Sequence, residues 1–511
     1  MFTSIEAHAN PQGHIEHSHK RQWRPYTLFT MLCVGLGSLA FGYSCGVIGP
    51  TIAQPSFITY FELDTRSDAT ALISSMNGLF FAGCAIFCLT TPFLADRWGR
   101  RVAIGVSALI MLISAAVLAG SVNVIQFIVF RFISGAGTYM ELAACVIWMT
   151  EVAPPAFRGA FVGLNGACLL FGYSLSCWVG YGFFLVDSPN AWRAPFAIQC
   201  FPSLVLIIAL FFLPESPRWL MLNDRKEEAR RVLLKLHAPE EAAIEILQIE
   251  AQTVLDRTLP SSYWAMFAKP SYRKRCGIAI FIMAAIQCSG VLVINNYGPM
   301  IYGSLGFDTD VQLIYAAAWL TLGWGGGCLA LLVIDYVPRQ VFIGVGLLGC
   351  QTCLSIEAAL VANFVGTDNT AALRAAVAML FVFVFIYQFC MDSTMFVYLG
   401  EIFPNHLRAK GVSMGCSTLA AMNVIWLQSA PTAFENIGWR FYLCLIIPGT
   451  VAAILILLYF PDTLGLPLEE IAAIFGPDTG TVDQVELLHG EGTVEEVPVK
   501  VEMKPDVEAA K

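Results

Sequence analysis

Residues 96–101 read DRWGRR, and residues 335–340 read DYVPRQ. The first follows the second long apolar run of the chain, and the second follows the eighth. Two further pairs obey the same spacing. EVAPPAFRG (151–159) follows the fourth run and EIFPNHLRA (401–409) the tenth, while PESPRWL (214–220) follows the sixth and PDTLGLPLEE (461–470) the twelfth. Three charged motifs recurring at matched positions identify a duplication. The two copies are parallel: two six-span halves related by an axis along the membrane normal.

The runs themselves are long enough to cross a bilayer, which takes about 20 residues each. They cover about 27–50, 69–94, 102–121, 123–149, 160–184, 195–213, 277–302, 311–334, 341–363, 373–399, 411–431 and 438–460. Of the 511 residues 57% are hydrophobic and 13% charged, against roughly 25% charged in soluble domains. The reading is an all-α membrane protein of twelve transmembrane helices in two pseudo-symmetric six-helix bundles. The expected divisions are a tail (1–25), a first bundle (26–213), linker helices (214–276), a second bundle (277–460) and a tail (461–511). Within the linker, 223–237 and 240–257 carry a helical amphipathic pattern. No cleavable signal peptide is visible. Sixteen cysteines fall almost entirely inside spans and read as small apolar residues rather than a disulfide framework. The net charge of −9 comes largely from the C-terminal tail, and no basic stripe suggests nucleic acid. Lys and Arg concentrate on the side holding the repeated motifs, which predicts both termini in the cytoplasm. A monomer in the plasma membrane is expected, with the lipid bilayer as its surroundings.

Charges at helix ends can pair between neighbouring helices and across the halves, latching one face. The candidate gate comprises Asp96, Arg97, Arg100, Arg101, Glu151, Arg158, Glu215, Arg218, Asp335, Arg339, Glu401 and Arg408.

At these motifs the chain resembles the major facilitator superfamily, in particular its sugar porter branch. RFISGAG (131–137) is similar to that branch's fourth-helix pattern, and PESPRWL to its sixth-helix end. The resemblance spans about 27–471 and implies solute translocation by alternating access, with no chemistry on the solute. It also implies a cavity-lining seventh helix of QQLSGxN…YY type. Here that stretch is IQCSGVLVINNYGPMIY (286–302), so Gln287 stands at the second Gln and Tyr297 at the second Tyr. Ile286, Leu292 and Asn296 stand where the pattern has Gln, Asn and Tyr. The fifth-helix Gln position falls on Gly166 beside Asn165, and the eleventh-helix Asn-Trp pair on Leu419–Ala420, with Asn423 at a later Asn. The tenth-helix Trp position is Phe396, and its polar position Gln388. The candidate substrate-binding residues are therefore Gln287, Asn295, Asn296, Tyr297, Asn165, Gln388, Phe396 and Asn423. Several hydroxyl-reading amides are gone, so either other amides replace them or the solute carries fewer hydroxyls than a hexose.

Proton-driven sugar porters resemble FGYD in the first helix, where this chain has FGYS ending at Ser44; the fourth-helix Arg131 remains. A serine does not titrate in a useful range. Ionisable residues inside spans mark substrate or proton pathways, so Glu141, Arg131 and Asp392 are the coupling candidates, with Glu141 first. Facilitated diffusion and proton coupling both stay open. So do a sugar or sugar-like solute, a less hydroxylated metabolite or organic acid, and a non-transporting nutrient sensor of the same fold. No HExxH, GxSxG or phosphate-cradling loop points to an enzyme, and no cofactor or metal site is expected.

Overall fold

The computed structural model describes residues 25–153, 158–237, isolated positions between 239 and 259, 261–334, 336–364, 367, 369–464 and 474–475. Among the described residues, twelve helices cross the bundle. They are α1 (Pro25–Gly46), α2 (Ala69–Cys88), α3 (Arg100–Ala119), α4 (Val124–Val152), α5 (Arg158–Phe184) and α6 (Arg193–Ala209), then α7 (Pro270–Ser304), α8 (Thr309–Val333), α9 (Arg339–Phe364), α10 (Thr370–Ile402), α11 (Asn405–Ile437) and α12 (Phe441–Tyr459). Their uniformly apolar surfaces suit hydrocarbon, where a backbone must satisfy its own hydrogen bonds. Polar residues fix the starts: the Asn123 side chain accepts from the Gln126 amide of α4 at 2.7 Å, and Asn369 caps α10 through the Ala372 amide at 3.2 Å.

Helix ends run past the apolar stretches. α11 covers Asn405–Ile437 rather than 411–431, and α7 begins at Pro270 rather than 277. Hydropathy stops where the polar ends emerge from hydrocarbon, whereas backbone hydrogen bonding continues. Of the two linker helices expected, the first is Lys226–Leu236, preceded by Pro217–Leu222. The second falls largely outside the described residues, as do the N-terminal tail and the chain beyond 475.

Within the first half, α2 packs on α4, α3 on α4 and α6, and α1 on α5. Gly83 faces the Phe132 carbonyl and Gly135 the Phe80 carbonyl, so α2 and α4 approach backbone to backbone. Two seams join the halves, α2 against α11 and α5 against α8.

Two spans are interrupted. α7 consists of Pro270–Gln287 and Val291–Ser304, separated by Cys288–Gly290. Gly290 has φ +76° and lies against Leu445, so a side chain there would be strained and crowded. α10 carries a π-turn at Gln388–Asp392 between Thr370–Tyr387 and Ser393–Ile402. Such turns often mark functional sites.

Candidate functional site: a central cavity and its charged gate

A cavity of about 60 Å³ lies between the halves. Gln287 and Asn295 come to it from the two parts of α7, and Gln388, Asp392 and Phe396 from α10. Gln388 and Asp392, four residues apart at the two ends of the π-turn, share that wall. Aromatic rings supply much of the remainder: Phe41, Tyr139, Tyr173, Trp319 and Tyr387. Gln287 is within hydrogen-bonding reach of the Tyr387 hydroxyl, while the Oε1 atoms of Gln287 and Gln388 are buried without a partner. Unsatisfied buried amide oxygens are costly, and a solute hydroxyl would satisfy them. Asp392 has neither a hydrogen-bond nor an ion-pair partner among the described residues; the tyrosines Tyr173 and Tyr387 face it.

The other sequence candidates lie elsewhere. Asn296 turns back on its own helix and donates to the Leu292 carbonyl at 2.9 Å. The Tyr297 hydroxyl accepts from Asn77 Nδ2 at 3.1 Å and donates to the Leu427 carbonyl at 2.9 Å, bridging the halves beside the cavity. Asn165 accepts from the Ser38 hydroxyl, and Asn423 is buried away from the cavity wall. Glu141 is fully buried with both carboxylate oxygens unpartnered, behind Gly37 of α1 and away from the cavity lining. Arg131 is also fully buried. Its Nη1 donates to the Ser44 carbonyl at 3.3 Å and Nε to the Met76 carbonyl at 3.4 Å, with the guanidinium 4.0 Å from the Phe80 ring centre. The Ser44 hydroxyl instead joins Thr138 at 3.0 Å and accepts from Gln199 at 3.0 Å. Trp319 and Tyr387 went unnoticed in the sequence because they sit in plain apolar runs.

The repeated motifs gather on one face, here the motif face. In the first half, Arg100 forks onto Glu151, with Nε to Oε2 and Nη2 to Oε1 both at 2.8 Å, and its Nη1 reaches the Ala95 carbonyl at 2.9 Å. Planar bidentate pairing of this kind is the strong form of a charge-assisted hydrogen bond. Glu215 accepts from the backbone amides of Arg100 at 3.0 Å and Ser216 at 2.9 Å, and Ser216 donates to Glu151. Gly99, at φ +96°, makes the turn that delivers these amides. Burial pushes the Glu215 carboxyl above the usual glutamate range, and the amides it accepts from oppose that shift.

The second half repeats the arrangement with a longer arginine–glutamate contact. Arg339 Nη2 meets Glu401 Oε1 at 3.5 Å, its Nη1 donates to the Ile334 carbonyl, and its amide donates to Asp462 at 3.1 Å. Thr463, in the place of Ser216, donates to Glu401 at 2.5 Å. Asp335 and the side chain of Arg158 lie outside the described residues.

Both of these arginine–glutamate pairs join neighbouring helices within one half, one of the two pairings expected of the motifs. Among the described residues, an ion pair across the halves joins Lys410 Nζ to Asp96 Oδ2 at 3.3 Å, and Asp96 lies 3.4 Å from Arg100 as well. Lys410 was missed as a gate residue because it stands one position beyond the repeated motif. Arg97 lies against Trp98, Arg101 donates to the Leu210 carbonyl at 2.6 Å, and Arg218 forms no ion pair among the described residues. Arg408 lies in the first turn of α11. Below Lys410, Ser417 donates to the Ala85 carbonyl at 2.6 Å and Cys88 to the Ser413 carbonyl at 3.6 Å. On the far face, Thr70 donates to Glu435 at 2.6 Å, and Trp178 Nε1 to Thr321 at 2.9 Å. Both faces are thus bridged by side-chain contacts between the halves. Ligand sites for drug-sized molecules span about 300–1,000 Å³, so this cavity must expand to hold a solute.

The family model described as "Sugar (and other) transporter" matches residues 30–475. The chain belongs to this family. It is similar over 448 residues, at 28% identity, to the MFS-type transporter criB of Aspergillus cristatus, covering 86% of this chain and 91% of that protein. The high-affinity glucose transporter of Kluyveromyces lactis is 26% identical, with 87% and 84% covered. The arabinose-proton symporter of Bacillus subtilis is 27% identical, with 88% and 95% covered. Among solved structures, the proton:xylose symporter XylE bound to 6-bromo-6-deoxy-D-glucose matches with a TM-score of 0.75 at 24% identity, covering 88% of this chain and 99% of that one. A partially occluded inward-open XylE from E. coli gives 0.74. This family member thus has the major facilitator fold, and it is a multi-pass membrane transporter rather than an enzyme.

Proposed function

We propose that the protein carries a small sugar-like solute across the membrane by alternating access. The two halves, about 26–213 and 277–460, rock about the central cavity, and the motif face is cytoplasmic with both termini on that side. Residence in the plasma membrane as a monomer belongs to the same reading. The observation that carries it is a cavity on the seam between the halves, holding the unpartnered amide oxygens of Gln287 and Gln388. Relatives named for glucose and arabinose transport support the solute class. Aromatic walls beside only three amides favour a solute with fewer hydroxyls than a hexose, because each buried amide left unpaired costs about 1–3 kcal/mol.

Asp392 is the group best placed to couple that movement to protons. It lines the cavity, no cation faces it among the described residues, and an isolated carboxylate at this depth is expensive when charged. Glu141, by contrast, does not line this cavity. In proteoliposomes of the purified full chain, labelled D-glucose, D-xylose and L-arabinose are offered under a one-unit pH gradient, acid outside. One coupled proton drives up to about tenfold accumulation, since a pH unit is worth about 1.4 kcal/mol. Asp392→Asn should lower the ratio of accumulation to counterflow about tenfold, and Glu141→Gln should leave it unchanged. Absence of counterflow for every sugar would reject the solute class. Accumulation that survives Asp392→Asn would reject the coupling role.

A further inference from the structure

A second concavity lies apart from the central one. A groove of about 690 Å³ opens at the motif face of the first half, between the ends of α1, α3 and α6 and the two linker helices Pro217–Leu222 and Lys226–Leu236. Four cations line it, Arg101, Arg225, Arg231 and Lys235, against two carboxylates, Glu215 and Glu228. Both carboxylates are already engaged. Glu228 pairs with Arg225 at 2.9 Å, and Glu215 accepts backbone amides. Arg231 and Lys235 are exposed and form no ion pair among the described residues, and Arg101 makes its short bond to a carbonyl. The groove therefore presents excess positive charge.

Its opposite edge is oily. Trp98, Val102 and Phe212 line it while 49%, 45% and 64% exposed, and Phe211 beside them is 79% exposed. On transmembrane helices such side chains face hydrocarbon, and Trp at the boundary marks headgroup depth. Basic side chains on one edge and acyl-facing rings on the other suit one ligand with an anionic head and an apolar tail.

We infer that this groove binds an anionic phospholipid of the leaflet at the motif face, its phosphate between Arg231, Lys235 and Arg101 and its acyl chains along Phe212 and Val102. A lipid seated there also touches the gate, because Arg101 and Glu215 belong to both the groove and the loop that holds Arg100. Occupancy clamps the linker helices onto the start of α3.

The test uses native mass spectrometry of the purified full chain equilibrated with equal phosphatidylserine and phosphatidylcholine of identical acyl chains. Each surface Lys or Arg near an anionic lipid is worth about fivefold in binding. The wild type should retain phosphatidylserine preferentially, and Arg231→Gln with Lys235→Gln should reduce that preference about 25-fold. Lys226→Gln is the control, since Lys226 pairs with Glu250 at 3.2 Å outside the groove. Equal retention of the two lipids by the wild type would overturn the inference, as would a preference unmoved in the double variant. Displacement of phosphatidylserine by excess inorganic phosphate would show a site for free anions instead and would equally overturn it.

Discussion

The cross-half pair Lys410–Asp96 sets a measurable bias on the motif face. The two side chains are 13% and 47% exposed and meet at 3.3 Å. Coulomb attraction at that distance is largely offset by solvation of Asp96, so the pair is worth about 0.2–1 kcal/mol, the range of partly exposed ion pairs. Removing it should raise the population open at the motif face by about 1.4- to 5-fold. Cys88 reports that population. It is fully buried beneath the pair, with its thiol on the Ser413 carbonyl of α11 and beside Cys416. A thiol reagent reaches it from this face only when the α2–α11 seam parts. The assay is the rate of N-ethylmaleimide labelling of Cys88, quantified by peptide mass spectrometry, in wild type, Lys410→Ala, Asp96→Asn and the double variant. Each single change should accelerate labelling within that range. Asp96→Asn should be at least as fast, because it also frees Arg100, and the double variant should add nothing beyond the faster single. At about 1 M salt, where the screening length is about 3 Å, the differences should shrink. Unchanged rates, or a double variant that multiplies the two single effects, would refute the latch.

The two halves also predict unequal sensitivity. Arg100→Lys loses at least one of two 2.8 Å bonds to Glu151, about 1.5–3 kcal/mol. Arg339 meets Glu401 at the longer distance of 3.5 Å, so the thermal midpoint of Arg339→Lys in detergent should fall by less; equal losses would contradict the asymmetry. Glu215 predicts a pH dependence. Because burial raises its folded value, its contribution is complete below the ordinary glutamate value of about 4.3 and fades as pH rises through the raised one. The thermal midpoint of the wild type relative to Glu215→Gln should therefore decline from acid to neutral pH, and a pH-independent difference would remove Glu215 from the titration.

The architecture was legible because it rests on period, length and repeated punctuation. Long apolar runs, and motifs recurring after the second, fourth and sixth spans of each half, determine the number of helices and their pseudo-symmetry. Arg100 with Glu151, and Arg339 with Glu401, were likewise readable as helix-end charges. Their partners were not, since whether a carboxylate is met within its half or across the seam depends on helix ends that composition leaves open. The cavity was legible only in part. Gln287, Asn295, Gln388 and Phe396 come to its wall. Asn296 and Tyr297 follow Asn295 directly but point away, because consecutive helix positions are about 100° apart and the break at Gly290 resets the phase of α7. The π-turn in α10 has no local signature, and Asp392 at its end lines the cavity. Trp319 and Tyr387 look like any aromatic residue in a span.

Spin labels can follow the relative motion of the halves at both faces of the bundle. One pair at the exposed Trp98 and Tyr336 would span the motif face, and another at Leu185 and Ile437 the far face. Double electron–electron resonance on the full chain in lipid, with and without the transported sugar, should show one distance lengthening as the other shortens. If both distances stay fixed, or lengthen together, the halves do not rock about the cavity.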